Sequence, residues 1–408
     1  MDINSLTREA AELLREMVAI PSLSFSEDAV CDHICRWLTD RGIGHRRIGN
    51  NIVAEHITDP EAPVLILCAH IDTVAPGEDY SFDPYTPDYD KATEIIGSML
   101  QKDDLSREDI VAGIGSNDDG GSAVAMIAAY RWIVERSFTS SGMKGECLRT
   151  PEPPPGMDED TFCMASNIVL ALTCEEERSG KGGMTYLWPE VLSRMTRTKK
   201  YAIIGEPTGM KAATSERGLL VIDGEAVGRS GHAARNEGEN ALYIALEDIG
   251  KLRSHRFSKT SPRMGTVNLN VTQINAGTAH NVIPDRCTFV IDIRPTEQYS
   301  NEEILAELQS LCRSKLTARN LANRSSATAE GSPLLKAADT LGAVTFSSPT
   351  TSDWMRVGCD AIKMGPGDSA RSHRKDEFIL VSEIHNSIKD YIKIWQHFGA
   401  KEQKRQTL

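Results

Sequence analysis

No run of about 18 apolar residues occurs in the chain, so no transmembrane helix is expected. Positive charge is in deficit. Lys and Arg number 45 against 58 Asp and Glu, a net charge of −13. That balance argues against nucleic acid or an anionic membrane as a partner. The N-terminus, MDINSLTREAAELLREMVAI, mixes acids and bases at helical spacing and does not read as a signal peptide. Cysteines number nine, odd and scattered, which gives no disulfide framework. Cys68, Cys174 and Cys287 sit in apolar runs, where a thiol packs as a small hydrophobe. A reducing, cytoplasmic setting is expected. Cys31 and Cys35 flank His33, but no second Cys/His pair follows at zinc-finger spacing, so the pair reads as helix packing.

What is present fits a soluble chain of 408 residues, 40% apolar and 25% charged, long enough for two domains. Apolar spacing predicts helices over 5–19 and 27–40. Short apolar runs then alternate with helical patterns. APVLILCAH (62–70), SNIVLALTC (166–174), KYAIIGEP (200–207) and CDAIKMGPG (359–367) read as strands, and 120–136 reads as a helix. Nearly continuous apolar strands alternating with helices predict an α/β domain with a mostly parallel sheet covered on both faces. The middle differs. Its order of strand, helix, two strands and helix predicts a ferredoxin-like α+β unit, with Ser300 and Glu303 as a capping box. The expected organisation is 1–210, an inserted unit over 211–325, and a return to the first domain over 326–408. Residues 86–110 and 137–160 read as acidic, loop-like insertions.

The ends of the buried strands carry the chemistry. LILCAH ends in His70, followed by Asp72. GIGS leads to Asn117, Asp118 and Asp119. LALTC runs into Glu175, Glu176 and Glu177. AIIG runs into Glu206, and AIKMGPGD leads to His373. In open α/β sheets, ligands bind beyond the carboxyl ends of the strands. Five strand ends delivering His and carboxylate to one rim would repel if gathered dry, and cations make the gathering tolerable. Mixed His and carboxylate ligands suit Zn²⁺, Co²⁺ or Mn²⁺. One Glu of the triplet can then hold metal while its neighbour takes a proton. Asp72 is placed to accept the second ring N–H of His70.

The motifs HIDTV, GIGSNDDGG, TCEEERSG, IGEPT, SGHAA, NVIPD, DIRP and GPGDSARSH resemble the di-zinc aminoacylase and carboxypeptidase superfamily. Acetylornithine deacetylase and succinyl-diaminopimelate desuccinylase are members. INAGTAHNVIPD and SDWMRVG resemble the acetylornithine deacetylase-like branch. The resemblance implies a zinc-exopeptidase-like sheet with an inserted dimerisation or lid domain. It implies two Zn²⁺ per chain: His70 and Glu206 on one, Glu177 and His373 on the other, Asp118 bridging. A cis peptide is implied between Asp118 and Asp119. Glu176 is implied as general base, and a shift of one residue would make it Glu175. His232 is implied to reach across a homodimer interface and help stabilise an oxyanion, and Asn281 to contact oxyanion or substrate. Arg294 is implied to grip the substrate carboxylate, its alternative being a salt bridge to Asp292 or Asp285. Gly365 and Gly367 are implied to line the substrate pocket. The Lys that the superfamily carries two residues after the bridging Asp is Gly120 here.

The expected activity is removal of an acetyl or succinyl group from a small-molecule N-acyl amino acid, with acetylornithine deacetylation in arginine biosynthesis foremost. The alternatives are desuccinylation, small-peptide hydrolysis, or a non-catalytic dimeric binding protein on the same fold.

Overall fold

The computed structural model describes residues 2–139, 167–235 and 237–400. It divides the chain into two units. One comprises Met1–Thr214, Thr328–Phe346 and Ser352–Leu408; the other comprises Ser215–Ala327 and Ser347–Thr351.

The first unit is built on a mixed sheet whose centre is parallel. Val64–His70 lies between Asn167–Thr173 and Lys200–Ile204, parallel to both, and Asp360–Lys363 lies parallel to Lys200–Ile204. Asn51–His56 joins Asn167–Thr173 antiparallel. All seven residues of Val64–His70, and all seven of Asn167–Thr173, are buried. Alternation explains why. Leu65, Leu67, Leu170, Leu172 and Ile203 face one core, with Leu14, Val124 and Ile388 of the helices Ile3–Val18, Gly121–Thr139 and Val381–Ala400. Val64, Ile66, Val169, Ala171 and Ala202 face the opposite one, with Leu187 and Trp354. A strand covered on both faces has no polar side, hence the continuous apolar runs.

The register also places the acids and histidines. His70 lies opposite Thr173, Cys68 opposite Ile204, and Ile204 opposite Lys363. Three parallel neighbours ending together bring the loops after Thr173, Ile204 and Lys363 to the rim where His70 stands.

The helix Ile3–Val18 starts at Asp2, whose carboxylate accepts from Ser5 N at 2.8 Å. Residues 86–110 are not simply a loop. Tyr89–Leu100 is a helix capped by Asp88, and Ala92 and Ile96 pack against Phe82, Ile110 and Phe378. Two buried residues spaced by four suffice to dock it, and the acids around them obscured that face. The stretch 140–160 of the other expected insertion lies outside the described residues.

In the second unit the strands Asn268–Ala276, Arg286–Arg294, Leu220–Val227 and Lys315–Ala318 are neighbours in that order, all antiparallel. The helices Ala241–Ser254 and Asn301–Leu311 supply Ile244, Leu252, Ile304 and Leu308 to a core with Ile222, Phe289 and Ile291. The chain order is ferredoxin-like. Gly224 is required: a Cβ there would lie 2.3 Å from the Phe289 ring. Ser300 Oγ accepts from Glu303 N, and the Glu303 carboxylate accepts from Ser300 N. Among the described residues no helix is long and apolar enough to cross a membrane.

Candidate metal centre

His70 is 3% exposed at the end of the central strand. Its Nδ1 is 2.9 Å from the Asp72 carbonyl oxygen. A carbonyl only accepts, so Nδ1 carries the proton and Nε2 turns a lone pair outward. The Asp72 carboxylate is further away, at 3.4 Å. This departs from the expected contact, because that carboxylate is engaged elsewhere. It accepts from Glu176 N at 3.0 Å, Glu177 N at 3.1 Å and Ser24 Oγ at 2.6 Å. Asp72 thus shapes the glutamate loop.

Asp118 stands in the middle. Its Oδ1 is 3.3 Å from His70 Nε2 and its Oδ2 is 3.7 Å from His373 Nε2. The two oxygens of one carboxylate therefore face two different imidazoles. The peptide between Asp118 and Asp119 is cis. His373 Nε2 lies 2.9 Å from Glu177 Oε1. One ligand atom each from His70, Asp118 and Glu177 lies within 4.8 Å of the others; the same holds for His70, Glu176 and Glu206. All five expected ligands converge, and Glu176 joins them.

The electrostatics are those of an anionic nest. Burial, reinforced by neighbouring carboxylates, pushes Glu176 and Glu206 well above the usual carboxylate range. Burial opposes charge on His70, yet its contacts with Asp118 and Asp72 win and raise it well above the usual imidazole value. The Glu177 hydrogen bond lifts His373 to about 9. Without a cation, such a cluster holds itself together with protons. The two groups share His70, and the diverging oxygens of Asp118 face His70 and His373; two imidazoles and four carboxylates so arranged fit a pair of divalent cations.

Glu175 stands apart. At φ 60° it turns away, and its carboxylate accepts from Gly182 N at 2.7 Å. A Cβ on Gly182 would lie 2.5 Å from that carboxylate. Gly365 and Gly367 are close-packed. A Cβ on Gly365 would lie 2.6 Å from the Glu206 carbonyl oxygen, and one on Gly367, at φ +83°, would lie 2.3 Å from Asn117 Oδ1. Arg294 makes a bidentate pair with Asp292, at 2.8 and 3.0 Å. His232 is exposed in the second unit, next to the segment of Asn281: Ala233 N donates to the Asn281 carbonyl at 3.0 Å. His232 Nδ1 accepts from Ala234 N at 3.2 Å, so the neutral ring carries its proton on Nε2.

Three buried acids were missed. Glu27 Oε1 accepts from Phe25 N at 2.8 Å and Glu175 N at 3.1 Å. Glu377 Oε1 accepts from Asn117 N at 2.9 Å and Asp118 N at 3.0 Å. Asp353 Oδ2 accepts from Thr173 Oγ1 at 2.7 Å, and burial lifts Asp353 to about 6. The position of Glu377, four residues after His373, was the one visible signal.

Comparison with known proteins agrees with the motifs. Residues 214–320 match the family model of the peptidase dimerisation domain. A succinyl-diaminopimelate desuccinylase from Xanthomonas campestris pv. campestris is 25% identical over 93% of this chain and 96% of its own. An acetylornithine deacetylase from Myxococcus xanthus is 29% identical over 53% of this chain and 61% of its own. A probable carboxypeptidase from Emericella nidulans is 26% identical over 69% of this chain; the match takes in 61% of that protein. The crystal structure of aminopeptidase PepT from Bacillus cereus shares the fold, with a TM-score of 0.69 and 17% identity over 98% of this chain and 99% of that one. The resemblance to the aminoacylase and carboxypeptidase superfamily is borne out: the peptidase dimerisation model matches within the chain, and the relatives that align with it are named desuccinylase and deacetylase.

Proposed function

We propose that the chain is a di-metal amidohydrolase that removes the acyl group of an N-acyl amino acid. One observation carries the reading: the two oxygens of Asp118 face His70 and His373 separately, at 3.3 and 3.7 Å. His70 and Glu206 would hold one cation, Glu177 and His373 the other, and Asp118 both. Zn²⁺ is the proposed metal, with Co²⁺ as its substitute. Such cations, when bound, lower the pKa of a water and polarise an acyl carbonyl.

The residues divide the remaining work. Glu176 takes the proton of the attacking water and returns it to the leaving amine. The carboxylate of Glu175, engaged with Gly182, leaves that role to Glu176. Asp72 holds the backbone from which Glu176 and Glu177 project. His232, with its Nε2–H outward and acting in the partner subunit's site, donates to the developing oxyanion, with Asn281 beside it. Arg294 grips the substrate carboxylate by exchanging its Asp292 partner. The protein is proposed to work in the cytoplasm as a homodimer joined through residues 214–320.

The acyl group proposed is acetyl, in an acetylornithine deacetylase-type reaction of arginine biosynthesis. Succinyl is the second reading, favoured by the 96% coverage of the desuccinylase against 61% of the deacetylase. Assays of N-acetylornithine, N-acetylcitrulline, N-succinyl-diaminopimelate and dipeptides, with Zn²⁺ or Co²⁺ and after chelation, test both. Hydrolysis of an N-acyl amino acid, lost on chelation and restored by metal, is expected. Turnover of dipeptides alone would replace the deacylase reading with a peptidase.

A further inference from the structure

We propose that Glu377 is a positioning residue: it holds Asp118 and His373 in one fixed relation. The inference rests on reading the cluster as a metal centre. Glu377 is buried, and a single oxygen of its carboxylate takes the N–H groups of both Asn117 and Asp118, at 2.9 and 3.0 Å. Two successive N–H groups converging on one acceptor define where the Asp118 Cα sits and which way its side chain leaves the backbone.

The other end of Glu377 is equally constrained. Its carbonyl accepts from Gly113 N at 2.8 Å, and the strand it leads into, Phe378–Leu380, pairs with Ile110–Ala112. The residue before it, Asp376, accepts from Ser81 N and Oγ at 2.7 and 2.8 Å. His373 lies three residues upstream of that anchor, at φ 57°. The chain segment that carries His373 therefore reaches, through the Glu377 side chain, the backbone of the carboxylate that His373 faces. Loss of the acceptor would free both N–H groups and let Asp118 Oδ2 drift from His373 Nε2. The structural analogy is Asp72, which takes the N–H groups of Glu176 and Glu177. The Asp118 loop and the glutamate loop are thus both held by a buried carboxylate behind them, an outer arrangement of the kind that tunes metal affinity.

The test is calorimetric titration of metal-free wild type, Glu377→Leu and Glu377→Gln with Co²⁺ alone, with the visible absorption of bound Co²⁺ followed in parallel. Wild type is expected to take two equivalents. Glu377→Leu is expected to lose about 10- to 100-fold in affinity for one of them, with altered absorption for that equivalent. Glu377→Gln keeps an acceptor oxygen and is expected to match wild type. If Glu377→Leu shows no folded circular dichroism, Glu377→Asp, which withdraws the carboxylate by one methylene, takes its place with the same expected loss. A wild type that binds no Co²⁺ overturns the metal-centre reading itself. Two equivalents in wild type with unchanged affinities in Leu or Asp overturns only the role of Glu377, as does a Gln variant as weak as Leu. A lower melting temperature with both affinities intact marks a merely structural residue and also overturns it.

Discussion

The two units handle charge in opposite ways. In the second unit each acid on the open sheet face has a cationic side chain in contact: Asp223 with Arg319, Glu225 with Arg286, Asp292 with Arg294. Even buried Asp248 touches Lys251, at 3.2 Å. In the first unit Asp118, Glu176, Glu177 and Glu206 gather around two imidazoles, with Lys363 acting on Glu206. The strands differ in parallel. Along Leu220–Val227 buried residues alternate with half-buried or exposed ones, whereas Val64–His70 is buried throughout. A self-neutralised sheet can stand as a scaffold. A largely buried collection of acids is an arrangement whose repulsion a bound cation would offset.

Three measurements would break or sharpen this contrast. The largest effect is expected at Glu176. Glu176→Gln removes the proposed proton acceptor but little volume, so kcat should fall by about 10²- to 10⁴-fold while metal content holds at the wild-type level. Near-normal turnover would mean that the acid at this position is not the base. Next comes packing. Leu67→Ala in the doubly covered strand should cost about 2–5 kcal/mol in urea unfolding, and Val221→Ala on the half-open sheet distinctly less. Equal losses would contradict the difference in layering.

The smallest effect concerns Asp248. Burial would raise its pKa, but hydrogen bonds from Ser314 N and Oγ, both at 2.7 Å, prevail and hold it below the ordinary carboxylate value. The sign follows: its folded pKa is depressed, so its contribution is complete above the unfolded pKa and lost as pH falls through the folded one. Asp248→Asn should cost about 1–2 kcal/mol near neutrality. That difference from wild type should shrink below about pH 4. A gap that widened on acidification would reverse the assignment.

The sheet and the convergence of His70, Asp118, Glu177, Glu206 and His373 were legible because both follow local patterns: an apolar run marks a covered strand, and the residue just past it marks the rim. The supporting acids were not. Glu27 and Glu377 sit among other charged residues in the sequence, and only folding brings them behind Glu175 and Asp118. The helix Tyr89–Leu100 was missed for a related reason, since a few buried positions among acids read as a loop. Asp72 was singled out, but for its carboxylate, whereas its carbonyl is nearer to His70.

By itself the sequence determined which residues could meet a cation and on which strands they ride, because period and composition act over a few neighbours. The tertiary structure decided which carboxylates face inward, which hold backbone N–H groups, and that Glu176 enters the cluster while Glu175 leaves it. Those choices depend on distances between segments far apart in the chain, such as the 260 residues that separate Asn117 from Glu377, and no local pattern encodes them.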